Sequence, residues 1–321
     1  MIAVKNLASL GRKCVVALGG VLLAAAATAQ TTAIVVPGGA GGTPDILARQ
    51  IAQAISKSTG RNVIVENKPG AGGSIGGRFV TRAAPDGSTF LMTSSGITGT
   101  ASHIYPDYHP LEKLDHISIL VDVPFVVVAR NDFPTKTPQE FLDYVRQHPK
   151  KVTWSNAGTG THGHLTQILL QRATGLQFEV IPYKGSMPAL NDLMGGRIDA
   201  ALDNVATYKA HIEAGKVKPI FVTSKQRVPS LPDVPTAREL GIDFDNVAWY
   251  ALAAPKGTSP KLYADIKRAL DENFNVPEIR KQYADMGISL VISSQEEAER
   301  RARADTETFG KLIKELDLSN Q

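Results

Sequence analysis

Along most of the chain, segments with the hydrophobic pattern of a strand alternate with segments that have the pattern of a helix. Short runs rich in Val, Ile and Leu are typical of buried strands. Between them, apolar residues recur every three or four positions, as on one face of a helix. The predicted strands are 33–36, 62–66, 89–93, 118–130, 152–154, 179–182, 198–203, 219–223 and 247–254. The predicted helices are 44–58, 74–84, 138–148, 162–174, 187–194, 206–214, 260–273, 277–286 and 295–316. This alternation predicts βαβ units, and therefore an α/β fold with mostly parallel sheets flanked by helices.

Two glycine-rich loops are built alike. One reads PGGAGGTPD at 37–45, and the other reads SNAGTGTHGH at 155–164. Each follows a predicted strand and opens a predicted amphipathic helix, with Thr43 as the expected N-cap of the first. Such a turn exposes backbone N–H groups at the positive end of the helix dipole, where an anion can bind. The pair predicts two lobes that each offer an anion-binding edge to one ligand.

Two long predicted strands, 118–130 and 247–254, are placed to cross between these lobes. A double crossover makes the first lobe discontinuous. We therefore expect lobe 1 to contain residues 30–123 and 250–321, and lobe 2 to contain residues 124–249. Lobes connected in this way are suited to closing on a ligand held between them.

The first 29 residues have the pattern of a secretory signal peptide. Basic residues precede an apolar run at 15–27, and Ala27-Thr28-Ala29 is an A-x-A cleavage signal. Because the run is shorter than the roughly 20 residues of a membrane span, we expect cleavage and a periplasmic protein. The only cysteine, Cys14, lies in this segment. The mature chain would therefore have no disulfide and no cysteine nucleophile.

The charge balance gives little support for a nucleic-acid partner. The chain has 35 Lys and Arg residues against 31 Asp and Glu residues. Three of the basic residues and none of the acidic ones lie in the predicted signal peptide. The mature protein would therefore be close to neutral and would have no strongly basic stripe.

The second loop leaves an enzymatic alternative open. Gly158-x-Gly160-x-x-Gly163 follows a strand and opens a helix, and Glu179 comes about 20 residues later, as in NAD(P)-binding α/β enzymes. The loop lies in the middle of the chain, however, and its hydroxyl groups, on Thr159 and Thr161, suit a small carboxylate.

Two other motifs are weaker. Gly72-Gly73-Ser74-Ile75-Gly76 matches the nucleophile elbow of serine hydrolases, but a turn precedes it instead of a strand, and Ser74 is expected to be a helix N-cap. His162 and His164 are two positions apart, so they do not share one face of a helix, and we predict no metal site.

Small polar residues also end two predicted strands, at Ser94, Ser95 and Asp203. Open α/β sheets bind their ligands at the carboxyl ends of strands. Asp203 could accept a proton from a ligand's hydroxyl or amino group, or it could cap the next helix.

Taken together and in order, six segments resemble the substrate-binding proteins of tripartite tricarboxylate transporters, the Bug/TctC-type periplasmic receptors. They are 36–45, 65–73, 84–87, 156–164, 182–186 and 231–236, and the resemblance covers nearly the whole mature chain. It implies a two-lobed Venus-flytrap protein without catalytic activity or cofactor. Such a protein captures a small aliphatic or aromatic mono- or dicarboxylate, presents it to an integral-membrane permease and acts as a monomer. A ligand sensor that serves a signalling partner is a further alternative.

The resemblance also implies the ligand-binding residues, which are Gly41, Gly42, Thr43, Asp45, Ser94, Ser95, Ala157, Gly158, Thr159, Thr161, His164 and Asp203. The chain departs from the family at Gly38-Gly39-Ala40, where a bulky residue is usual, and at 102–106. Tyr105, Tyr108 and Trp249 could stack on an aromatic acid or could belong to the core.

Overall fold

The computed structural model describes residues 31–159, 161–183 and 185–318. The predicted signal peptide, including Cys14, lies outside the described residues. The strands are β1 (Thr32–Val36), β2 (Val63–Asn67), β3 (Thr89–Ser94), β4 (Leu114–Arg130), β5 (Thr153–Asn156), β6 (Glu179–Pro182), β7 (Ala200–Asn204), β8 (Val217–Val222), β9 (Val247–Pro255) and β10 (Ser289–Leu290).

The helices are α1 (Thr43–Thr59), α2 (Ser74–Thr81), α3 (Ala101–Ile104), α4 (Pro110–Lys113), α5 (Pro138–Gln147), α6 (His162–Thr174), α7 (Ser186–Met194), α8 (Val205–Glu213), α9 (Pro260–Asn273), α10 (Pro277–Asp285) and α11 (Gln295–Glu315). A π-helical turn, Gly96–Thr100, leads directly into α3. No helix in the described part of the chain is both long and apolar enough to cross a membrane.

The strands form two sheets that share β4. The first has the order β2-β1-β3-β9-β4, with β10 on the far edge of β4 beside Val121 and Asp122. The second has the order β4-β7-β5-β6, with β8 also paired to β4. Strands β1 to β3 are parallel, as are β5 to β7, and the crossover strands β4 and β9 join them antiparallel. The expected two-lobed α/β architecture is therefore present.

Strand β4 changes partners midway along its length. It pairs with β9 as far as Pro124, opposite Val247, and with β7 from Phe125 onward, opposite Asn204. A single extended segment is therefore part of both sheets. The chain returns from the second sheet to the first through β9, which lies between β3 and β4.

Each sheet has its own core. In the first, α1 and α9 cover one face through residues such as Leu47, Ile51 and Ile266. The second has apolar residues on both faces because side chains alternate along a strand. On β4, Phe125 and Val127 belong to one cluster, and Val126 and Val128 belong to the opposite one.

The C-terminal helix α11 contacts both lobes. Near its start, Ala298 and Ala302 pack with Ile119 and Trp249 of the first sheet. Near its end, a second cluster joins it to α6 of the second lobe; the members on these helices are Leu165, Phe309, Leu312 and Ile313. One helix thus bridges the two halves of the molecule.

Two predicted helix caps are wrong. Gly42, rather than Thr43, is the N-cap of α1, and Gly73, rather than Ser74, is the N-cap of α2. In α1 the Asp45 carboxylate replaces a capping side chain, because it accepts the Gly41 N–H at 3.0 Å. Thr43 is the first helical residue.

Candidate functional site

A cavity of about 400 Å³ lies between the lobes at the carboxyl ends of the parallel strands. On the first lobe it is lined by residues that follow β3, with Gly72 beside them. On the second lobe it is lined by residues that follow β5, by the last residues of β7 and by Ser186. Binding at this edge is the expected behaviour of open α/β sheets.

The second glycine loop forms one wall of this cavity. Ala157, Thr159 and Thr161 line it, followed by His162 and Gly163 in the first turn of α6. The Thr161 hydroxyl donates to the Gly158 carbonyl at 2.7 Å and accepts the His164 N–H at 3.2 Å, so Thr161 caps the helix. The N–H groups at a helix start lack partners within the helix and favour negative charge, so this wall has the features of an anion site.

A second helix start faces the same cavity from the first lobe. Strand β3 ends at Ser94, and the π-helical turn follows, with Ser94, Ser95, Gly96 and Ile97 all lining the cavity. The Ser94 hydroxyl accepts the Ile97 N–H at 3.3 Å. The sequence pattern did not predict this helical segment, although it did indicate the two serines.

His162 connects the two lobes beside the cavity. Its Nε2 donates to Asn246 Oδ1, because that oxygen can only accept, and its Nδ1 then accepts from the Ser95 hydroxyl. Both distances are 2.5 Å. Its ring also lies edge-on to Phe125 and Phe309, with centroids 5.2 Å and 4.9 Å away. Burial lowers the pKa of His162 to about 4, because its effect is larger than the opposite effect of the Asn246 hydrogen bond. The ring is therefore neutral at pH 7.

Asp203 contributes a carboxylate to the cavity wall. It is 4% exposed, and its Oδ1 accepts the Asn204 N–H at 2.7 Å. Its Oδ2 is buried without a hydrogen-bond partner. Burial raises the pKa of Asp203 to about 6, although the Ser186 hydroxyl and the Asn204 N–H act in the opposite direction. The N-cap position of α8 belongs to Asn204, so Asp203 is not its N-cap.

An N–H group of the first glycine loop faces a carboxylate from the same segment, that of Asp45. The Asp45 carboxylate accepts from Arg49 at 3.0 and 3.1 Å, from the Gly41 N–H and from Asn67 Nδ2 at 3.0 Å. These donors, led by Arg49, lower the pKa of Asp45 to about 2. Four residues predicted to bind the ligand lie outside the cavity lining, namely Gly41, Gly42, Thr43 and Asp45. The loop is therefore stabilised by its own carboxylate.

The remaining candidates are divided between the cavity and the core. Of the two histidines, His162 lines the cavity and His164 does not, and Gly158 is also outside the lining. Among the aromatic candidates, Tyr105 lines the cavity, whereas Tyr108 and Trp249 are buried in the core. The sequence offered one signal for His162, its position as the first residue of a helix after a glycine loop.

The geometry gives the enzymatic alternatives little support. Glu179 is the first residue of β6 and is paired with Thr153, so it lies at the end of the sheet away from the glycine loop. Gly160 is outside the described residues. Ser74 is fully buried after a short helical turn, Ala71–Gly73, and not after a strand. In the described ranges no group of three or more His, Cys, Asp or Glu side chains could hold a metal ion.

Comparison with known proteins identifies the family. The model of the tripartite tricarboxylate transporter family receptor matches residues 47–318. The chain belongs to this family. A relative in Agrobacterium vitis, described as a UPF0065 protein in the TAR-I ttuE-ttuC' intergenic region, is 37% identical over 285 residues, which cover 87% of this chain and 82% of the relative.

Solved structures of similar proteins share the fold. The periplasmic binding protein BugD is 35% identical, with a TM-score of 0.75 over 89% of this chain and 97% of its own. A protein of R. palustris determined with adipate is 28% identical, with a TM-score of 0.79 over 88% and 96% of the two chains. MatC from Rhodopseudomonas palustris, determined with bound malate, is 30% identical, with a TM-score of 0.75 over 88% and 98%. The chain is thus a receptor of the TctC/Bug type with a periplasmic-binding-protein fold.

Proposed function

We propose that this receptor captures a small organic carboxylate in the interlobe cavity and delivers it to the membrane permease of a tripartite transporter. The observation that carries the proposal is the pair of helix starts, at Gly96 and His162, which face one cavity from opposite lobes. The adipate and malate of the two solved relatives support carboxylates as the ligand class.

In this proposal, backbone N–H groups and hydroxyl groups hold the anion without a charged clamp. No Lys or Arg lies among the described lining residues, and His162 is neutral. Helix N-termini and hydroxyl donors can replace the water around a carboxylate at low cost, because they are already oriented. The ligand contacts would include Ser94, Ala157 and Thr159, which line the cavity. Ligand contacts from Gly41, Gly42, Thr43 and Asp45 of the first loop, and from Gly158 and His164 of the second, remain predictions.

The proposal also includes how the protein is made and how it moves. Residues 1–29 would be removed on export to the periplasm, and the mature monomer would close by bending the crossover strands. We place the lobe boundaries after residues 123 and 249. Both lie near the point where β4 changes partners, since Pro124 is opposite Val247. The His162–Ser95 contact would then form on closure, since its two residues belong to different lobes.

A thermal-shift screen of mature protein against aliphatic and aromatic carboxylates, with NAD as a control, tests this function. A carboxylate present at about 100 times its Kd should stabilise the protein by about 2.7 kcal/mol. Stabilisation by NAD with no carboxylate effect would contradict the proposal.

Thr159→Ala should then weaken binding of the best carboxylate by about 1–2 kcal/mol, because the exposed Thr159 hydroxyl at the cavity wall would donate to a charged group. Thr159→Ser keeps the hydroxyl and is the matched control, with affinity close to that of the wild type. Isothermal titration calorimetry measures both. Equal affinity of the alanine and serine variants would remove Thr159 from the site.

A further inference from the structure

Asp203 carries an incomplete hydrogen-bond set inside the proposed binding cavity. Oδ1 accepts the Asn204 N–H, whereas Oδ2 is buried with no donor in hydrogen-bonding geometry. The Ser186 hydroxyl is near enough to lower the pKa of Asp203, but it makes no hydrogen bond to this oxygen. A buried carboxylate oxygen without a donor costs free energy, and most such atoms in proteins are paired. Because Asp203 also lines the cavity, the missing donor can come from a bound molecule.

The protein supplies no cation to this carboxylate in the described part of the cavity. The negative charge of Asp203 acts on Tyr250, whose pKa is raised to about 12 mainly by burial, and His162 in the same lining is neutral. No Lys or Arg is among the described lining residues. A ligand carrying only carboxylates would leave the charge of Asp203 unopposed. A ligand with a hydrogen-bond donor would satisfy it.

The topology places this acceptor close to the anion-binding turn. Asp203 lies near the carboxyl end of β7, which pairs in parallel with β5, and β5 leads into the loop containing Ala157 and Thr159. Neighbouring strands are about 4.8 Å apart. A carboxylate bound at this turn therefore has Asp203 within reach of a substituent only a few bonds away.

We infer that the ligand is a substituted carboxylate, with a hydroxyl or ammonium group close to its carboxyl carbon, and that Asp203 accepts a hydrogen bond from that group. This inference rests on the proposed function and narrows its substrate class. Asp203 is then the specificity-determining residue of the cavity, and the helix starts bind the carboxylate that all candidates share.

Matched acids that differ in a single substituent test the inference. The sets are succinate, malate and aspartate; adipate, 2-hydroxyadipate and 2-aminoadipate; and benzoate, 2-hydroxybenzoate and 2-aminobenzoate. Calorimetry at pH 7.5 should show, in at least one set, a hydroxy or amino acid that binds about tenfold or more tightly than its unsubstituted parent. Asp203→Asn should abolish most of that preference. Asp243→Asn, at a side chain that is 98% exposed, is the matched control and should keep it.

Three results would contradict the inference. Unsubstituted acids that bind as tightly as their matched derivatives would overturn it while the receptor function stands, and so would an Asp203→Asn variant that keeps the full preference. Should that variant fail to fold, the wild-type comparison within each set decides. Absence of binding by every acid in every set would overturn the proposed function as well.

Discussion

Two buried aspartates show how hydrogen-bond partners determine the behaviour of the same side chain. Asp45 accepts from Arg49, Gly41 and Asn67, and its pKa falls to about 2. Asp203 accepts from Asn204 and keeps one oxygen unpaired, and burial raises its pKa to about 6. The first carboxylate therefore stabilises its loop, and the second keeps one buried oxygen without a hydrogen-bond donor.

This contrast predicts opposite effects of pH on two Asp→Asn variants of the ligand-free protein. The pKa of Asp203 is higher in the folded than in the unfolded protein, so its ionisation costs stability as pH rises from about 4 through about 6. Asp203→Asn should therefore raise the free energy of unfolding at pH 7 by up to about 3 kcal/mol, and the gain should vanish below about pH 4.

Asp45→Asn should do the reverse. The pKa of Asp45 is lowered on folding, so its contribution to stability is present above about pH 4 and is lost as pH falls toward about 2. The variant should be less stable than the wild type at pH 7, and the two should converge in strong acid. Urea unfolding across pH 2–7 measures both differences. The same sign for both variants at pH 7 would contradict the assignment of the two carboxylates.

At the scale of elements, close approach of α2 to the loop before α4 depends on one glycine. A Cβ atom at Gly77 would lie 2.5 Å from the ring of Tyr108, which is fully buried. Gly77→Ala should therefore lower the free energy of unfolding by about 1–3 kcal/mol through overpacking. Gly39→Ala is the control, because no atom lies within 4 Å of its added Cβ. Equal stability of the two variants would show that α2 moves aside without cost.

Much of the element pattern follows from local signals. Helices His162–Thr174 and Pro260–Asn273 begin and end where predicted, because a threonine cap or an early proline marks each start. The long strand β4 was predicted from residue 118, since its first residues, Leu114–Ile117, have no clear apolar run. The helical turn after β3 was not predicted, because its sequence, GITGT, has low helix propensity and depends on tertiary packing.

The site was predictable only in part, and for a physical reason. A glycine loop before a helix indicates an anion site, and the loop before α6 does line the cavity. The loop before α1 has the same pattern, but Asp45 occupies its Gly41 N–H. Sequence spacing does not reveal whether a nearby carboxylate folds back on its own loop. Nor could it show His162 reaching Ser95 and Asn246, since those contacts join distant segments.

At the scale of the whole molecule, Phe309 is a contact shared by the two lobes. It is 1% exposed, it packs against His162 of α6, and its ring lies next to Gly99 of the first lobe. Phe309→Ala should lower the free energy of unfolding by about 3–5 kcal/mol, through lost burial and the cavity left behind. Phe79→Ala, at a side chain that is 48% exposed, is the matched control with a much smaller effect. A loss below about 1 kcal/mol for Phe309→Ala would show that α11 does not join the lobes energetically.

The position of β9 also determines the order in which the molecule can be completed during synthesis. The second sheet has all its strands once Val222 has emerged, because β4 to β8 are contiguous in the chain. The first sheet has a gap between β3 and β4 until Val247–Pro255 arrives, and α11 follows later still. A nascent chain can therefore complete the sheet of the second lobe before β9 of the first lobe has been synthesised. The first lobe begins to be translated first, but its sheet is completed last.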